Sequence, residues 1–186
     1  MRLARLIGGE GWWPRKGGNT PSPLAQTFDM IYQQRLWSGT PADDFYSGDG
    51  SRGPLAEQYV QCIRSFIERN PVRTLVDIGC GDFYIGAQLA SMVPNYIGID
   101  ISDALIARNR RLNTRSNVRF VQADASRDSL PRGDLCLIRQ VLQHLPNDDV
   151  SRIVARATQK YRYVLVTEHH PAPELFKAYN LDMAAS

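Results

Sequence analysis

From residue 74 onward the sequence repeats one unit, a short β-branched or apolar run followed by a stretch with helical periodicity. The runs fall at 74–78, 96–100, 118–122, 134–138 and 163–167. Runs of that length and composition are strands. A helical connection returns the chain to the same end of the sheet, so the strands pair in parallel, with right-handed crossovers and helices on both faces. The connecting segments carry their own helix signals. Ile85, Leu89 and Met92 follow at i, i+4 and i+7, and Ser102 stands as a cap before Leu105 and Ile106. The segment before the last run is the clearest. Asn147 caps it, Asp148 and Asp149 complement the positive end of its dipole, Val150, Ile153, Val154 and Ala157 make its apolar stripe, and Lys160 sits in its last turn.

A chain of 186 residues has room for one core of ordinary size. Residues 1–27 read as a disordered leader, being rich up to residue 24 in Gly, Pro, Arg and Trp without a period, with Trp12 and Trp13 as docking residues. Residues 28–70 read as a helical cap. Phe28, Ile31, Tyr32 and Leu36 have helical spacing and Trp37 closes that segment; the loop Tyr46–Ser51 follows. A helix then begins at Pro54, shows Leu55, Tyr59, Ile63, Phe66 and Ile67 on one face, and stops before Asn70-Pro71. Residues 71–170 form the core and 171–186 a short C-terminal segment.

Several function classes recede on composition. No apolar run approaches the roughly 18 residues of a membrane span, and the net charge of +3 comes from scattered basic residues, which is no footprint for nucleic acid. Cys62, Cys80 and Cys136 leave one thiol unpaired in any disulfide scheme, as expected in a reducing cytoplasm, and each reads as a small buried residue. His144, His169 and His170 have no Cys or His partner at a ligand-like spacing, so no metal site is expected. Nineteen arginines against three lysines suit a GC-rich bacterial genome.

The first run, Thr74–Ile78, ends in Gly79-Cys80-Gly81-Asp82-Phe83 and opens a helix. At the carboxyl edge of a doubly wound sheet such a turn lets a ligand approach the backbone, and the helix start supplies free N–H donors. The second run ends in Asp100, nineteen residues after Gly81, where an acid grips the ribose hydroxyls of an adenine nucleotide. The third runs into Gln122-Ala123-Asp124-Ala125, so Asp124 stands at the same edge, placed to accept from an exocyclic amine. A dinucleotide fingerprint needs a third glycine where Tyr84 stands, and Phe83-Tyr84 crowds the place of a pyrophosphate. A nucleoside cofactor without phosphates is expected.

With Val-Asp-Ile-Gly-Cys-Gly, the Gly-Ile-Asp-Ile strand end, Ala-Asp-Ala and Leu-Ile-Arg-Gln-Val-Leu-Gln-His-Leu, residues 71–170 resemble the class I methyltransferases. That resemblance implies an α/β, Rossmann-like three-layer sandwich with a mainly parallel sheet of order 3-2-1-4-5. It also implies S-adenosylmethionine as cofactor and S-adenosylhomocysteine as product. Asp77 and the Gly79, Cys80 and Gly81 backbone would hold the methionine part and Asp100 the ribose. Ile101 would pack on adenine, Asp124 beside Ala125 would reach its amine, and the backbone around Arg139 and Gln140 would contact the amino-acid end. Family members usually add two strands after the fifth; here only 171–186 remains, so the sheet is expected to lack those strands, either because the chain is truncated or because a partner or a second copy covers the open edge.

The first and fourth strands flank the topological switch point, so the loop after Ile138 faces the Gly79–Gly81 turn and places Gln143 and His144 near the reacting methyl. His144 is the first candidate base for an oxygen or nitrogen acceptor of a small molecule; His169 and then His170 are substitutes at the same edge. Residues 28–53, with Trp37, Tyr46 and Arg52, are expected to cover the cofactor as a lid. A non-catalytic S-adenosylmethionine-binding module or partner subunit remains open. A nicotinamide-dependent oxidoreductase is disfavoured by Tyr84.

Overall fold

The computed structural model describes residues 22–37 and 45–169. Five strands, β1 (Thr74–Ile78), β2 (Asn95–Asp100), β3 (Val118–Gln122), β4 (Leu135–Arg139) and β5 (Tyr163–Thr167), form one sheet of order 3-2-1-4-5. All four pairings are parallel. The order reverses between β1 and β4, which opens a crevice beyond their carboxyl ends.

Strand periodicity sorts the side chains onto two faces. Val76, Ile78, Ile97, Ile99, Cys136 and Ile138 pack with Ile153 and Ala157 of α5 (Asn147–Lys160) and with Phe28 and Ile31 of α1 (Pro23–Gln33). Leu75, Tyr96, Leu135 and Leu137 face Val60, Ile63 and Ile67 of α2 (Gly53–Arg69) and Leu89 of α3 (Tyr84–Leu89). On that second face Ile106 of α4 (Asp103–Leu112) packs with Cys80 and Phe120. Ser102 caps α4 as expected, its hydroxyl accepting from Leu105 N at 3.2 Å.

Four local expectations change. The helix of the cap begins at Pro23, not Phe28, with Ser22 as a side-chain cap; Ser-Pro is a cap followed by a first-turn residue, a signal stronger than the Gly/Pro composition around it. Residues 22–27 are therefore ordered, while 1–21 of the expected leader lie outside the described residues, as do His170 and 171–186. The buried stripe of α2 runs through Ala56, Val60, Ile63 and Ile67, one position round from the face expected, so Leu55 is 69% exposed. Cys62, expected to be buried, is exposed on the same helix. Asn147 is the first residue of α5 and Pro146 its N-cap, with no side-chain cap bond. Among the described residues no helix is long and apolar enough to cross a membrane.

Candidate active site

The turn after β1 takes its shape from two glycines with positive φ, +73° at Gly79 and +54° at Gly81. Both are also sterically closed to larger residues: a Cβ on Gly79 would meet Val141 at 2.3 Å, and one on Gly81 would meet Ser47 at 2.4 Å. The turn is pinned to β2, since Gly79 N and Cys80 N donate to Ile99 O at 2.8 and 3.0 Å and Gly81 N donates to Asp100 Oδ2 at 3.2 Å. The loop after β4 lies against it. The chain therefore brings the turn, the end of β2, the end of β3 and the β4–α5 loop around one cavity of about 290 Å³.

Every site residue expected within the described residues lines that cavity: Asp77, Gly79, Cys80, Gly81, Asp100, Ile101, Asp124, Ala125, Arg139, Gln140, His144 and His169. Their polar atoms are unequally engaged. Asp77 accepts from the hydroxyl of the fully buried Tyr96. Asp100 accepts from Gly81 N and, at 3.1 Å, from Ser102 N. Asp124 Oδ1 accepts from Ser126 N and Oγ at 2.9 and 2.7 Å, whereas its Oδ2 is buried without a hydrogen bond, Arg127 Nε standing 3.6 Å away. His144 lies half-buried with its ring 5.4 Å from that of Trp37. His169 is exposed and its Nε2 is 3.1 Å from Gln140 Nε2.

Residues 75–162 match the model of a methyltransferase domain. The match covers 88 of the chain's 186 residues, and that stretch is similar to S-adenosylmethionine-dependent methyltransferase domains. Among solved structures, the N-methyltransferase NodS from Bradyrhizobium japonicum WM9, in complex with S-adenosyl-L-homocysteine, is similar with a TM-score of 0.57 and 18% identity over 74% of this chain and 67% of that one. The methyltransferase domain of bacterial CtHen1 gives 0.55 at 17% identity over 61% and 66%. A DhpI complex with S-adenosylhomocysteine gives 0.53 at 16% over 74% and 62%. These likenesses are of fold, and the chain spans 66% of the CtHen1 chain's length. No curated protein matches the sequence.

The residues lining the cavity fit S-adenosylmethionine by their donor and acceptor chemistry. Asp124 Oδ2, with Arg127 at 3.6 Å but no hydrogen bond among the described residues, is a buried acceptor of the kind an adenine amine satisfies, and a buried acceptor left without a hydrogen bond costs about 1–3 kcal/mol. Burial pushes Asp77 up to about 6 against the pull of Tyr96 and Arg139. It pushes Asp100 up to about 6 as well, against the backbone donors of Ser102, Gly81 and Ile101. Hydroxyl donors from a ribose would favour the ionised form of Asp100. Burial lowers His144, with Glu168 pulling upward and His169 downward, so the ring is neutral and basic near neutral pH.

Sequence reasoning missed four contributors to this site. Arg139 enters through its side chain and not only its backbone: the guanidinium donates to Gly50 O and lies 4.9 Å from the Tyr59 ring centroid, and burial lowers its pKa against Tyr59, Asp77 and Glu168. Asp82 joins the cap loop to the glycine turn, accepting from Ser47 N at 3.2 Å and Arg52 at 2.7 Å. Tyr59, from a helix expected only to pack, lines the cavity. Glu168 accepts from Val141 N and Leu142 N behind the His144 loop. The acids Asp82 and Glu168 each follow a motif directly in sequence, which was the one signal available.

Proposed function

We propose that this protein transfers the methyl group of S-adenosylmethionine to an oxygen or nitrogen atom of a small-molecule acceptor. The observation that carries this reading is the single cavity in which the β1 turn, Asp100, Asp124 and His144 meet. At about 290 Å³ it falls just below the usual range of small-molecule pockets, roughly 300–1,000 Å³. That volume suits one nucleoside-sized cofactor, with a small acceptor at the rim beside Trp37 and His144.

When bound, S-adenosylmethionine supplies an electrophilic methyl group on sulfonium, whose carbon–sulfur electron pair leaves with sulfur as the acceptor's lone pair attacks. The chain's part is positional first. Asp100 would take the ribose hydroxyls, Asp124 Oδ2 the adenine amine, and the glycine turn with Arg139 and Gln140 the amino-acid end, so that binding itself would orient the cofactor for transfer. His144 then receives the acceptor's proton, a task for which a neutral imidazole is suited. The wall of Phe28, Tyr32 and Trp37 shields that region from water.

Calorimetric titration with S-adenosylhomocysteine, and in parallel with NAD, tests the cofactor assignment. Only the first should bind. Asp100→Ala should weaken it roughly 10- to 150-fold, the worth of a hydrogen bond to a charged group at about 1.5–3 kcal/mol. Binding of NAD alone would overturn the reading; binding of S-adenosylhomocysteine justifies an acceptor screen with small alcohols and amines.

A further inference from the structure

The chain leaves β4 at Gln140 with φ +53°, a left-handed conformation uncommon outside glycine. Two residues later it makes a single 3-10 turn, Leu142–His144. The first amides of such a turn have no partner within it. Here both are taken by one carboxylate: Val141 N and Leu142 N donate to Glu168 Oε1 at 3.1 and 2.9 Å. Glu168 follows β5 directly and is brought there by the β4–β5 register, Arg139 opposite Thr167, and by Gln140 N donating to Thr167 O at 2.8 Å. The second oxygen, Oε2, is buried with no hydrogen-bond partner among the described residues. A carboxylate needed only as a clamp leaves that oxygen at a cost, because a buried acceptor without a hydrogen bond is expensive.

We propose that Glu168 is a positioning residue for His144: one oxygen clamps the loop that carries the histidine, and the charge favours the imidazolium that forms when His144 takes the acceptor's proton. The role rests on His144 being the base. Among the described residues the groups around that ring are few. Glu168 and His169 face it from the end of β5, the neutral Trp37 ring from beyond α1, and the Gln143 amide from its own turn, at 3.2 Å. Asp149, at the start of α5, is engaged by Arg152 at 2.7 Å, and Arg139 at the end of β4 interacts with Glu168 itself. Among the described residues Glu168 is thus the carboxylate acting on His144, and it opposes the effect of burial there.

Two substitutions separate the clamp from the charge. Glu168→Gln keeps an oxygen for the two amides and removes the charge; Glu168→Ala removes both. Ring NMR of His144, its signal assigned with His144→Asn, should titrate about half to one pH unit lower in Glu168→Gln. Amide exchange at Val141 and Leu142 should stay slow in that variant and rise at least several-fold in Glu168→Ala. The acid limb of the methyl-transfer pH profile should move down with the His144 midpoint. An unchanged midpoint in Glu168→Gln overturns the electrostatic role, and unchanged exchange in Glu168→Ala overturns the clamp. Should Glu168→Ala not fold, Glu168→Gln still decides the charge. Neither NMR readout requires turnover, so this inference and the methyltransferase reading fail separately.

Discussion

Asp100 has both oxygens against backbone amides, yet burial still holds its carboxyl near 6, as it does that of Asp77. A carboxylate with a raised folded pKa keeps more protons in the native state than in the unfolded one. Its contribution is therefore present at low pH and lost as pH rises from about 4 to about 6, at roughly 1.4 kcal/mol per pKa unit. Urea unfolding across that window should show stability falling with pH, and Asp100→Asn should flatten part of the slope. Ligand hydroxyls act in the opposite sense, because they favour the ionised group. S-adenosylhomocysteine should accordingly bind more weakly at pH 5 than at pH 7 in calorimetry. Equal affinity at the two pH values would place Asp100 away from the ribose.

At the scale of elements, α3 meets β2 through Gly86, and that contact reaches into the site. A Cβ on Gly86 would come 2.1 Å from the Tyr96 hydroxyl, the group that donates to Asp77. In an exposed helix, Gly→Ala stabilises by up to about 1 kcal/mol. Here Tyr96 is fully buried, so the ring has nowhere to retreat, and overpacking costs about 1–3 kcal/mol. The steric term wins, and Gly86→Ala should lower stability in urea unfolding by about 1–2 kcal/mol. A gain in stability would show that Tyr96 yields freely. Phe83 completes this seam: it caps α3 at φ +66° and packs edge-on against Tyr96 and Phe120, at 5.3 and 4.9 Å. The bulk that argued against a pyrophosphate is thus core packing for Phe83, while Tyr84 stays half exposed under Arg52 at 3.7 Å.

Across the whole molecule, the segment before the sheet is fastened to the site at several points. Arg52 pairs with Asp82, Ser47 Oγ accepts from Asp82 N at 2.7 Å, Tyr32 and Ser47 share a hydroxyl contact at 3.3 Å, and Arg139 holds Gly50 O. Ser102 Oγ also donates to Asp29 of α1 at 2.5 Å. Residues 45–53 therefore close over the glycine turn through Asp82 above all. Asp82→Ala should make the bond after Arg52 several-fold more sensitive to trypsin, and S-adenosylhomocysteine should protect that bond in the wild type. Absence of both effects would remove the loop from the cofactor's cover.

The strand–helix alternation, the parallel order and the carboxyl-edge acids were legible in the sequence because each is encoded locally, by periodicity, by a glycine turn or by a residue that ends a strand. Asp77, Asp100 and Asp124 needed only their place at a strand end to be put at one edge. Arg139's side chain, Tyr59, Glu168 and Gly86 were not legible in those roles, since each acts through a neighbour 10 to 89 positions away or through the way two elements meet. The number of side chains that a 3.6-residue period can turn inward also left the exact face of α2 open, which packing against β1 and β4 decided. Chain-local chemistry determined which edge would carry the site; tertiary packing decided which polar atoms are buried, paired or left unpaired there, because burial and partnership are properties of the assembled sheet and its cover.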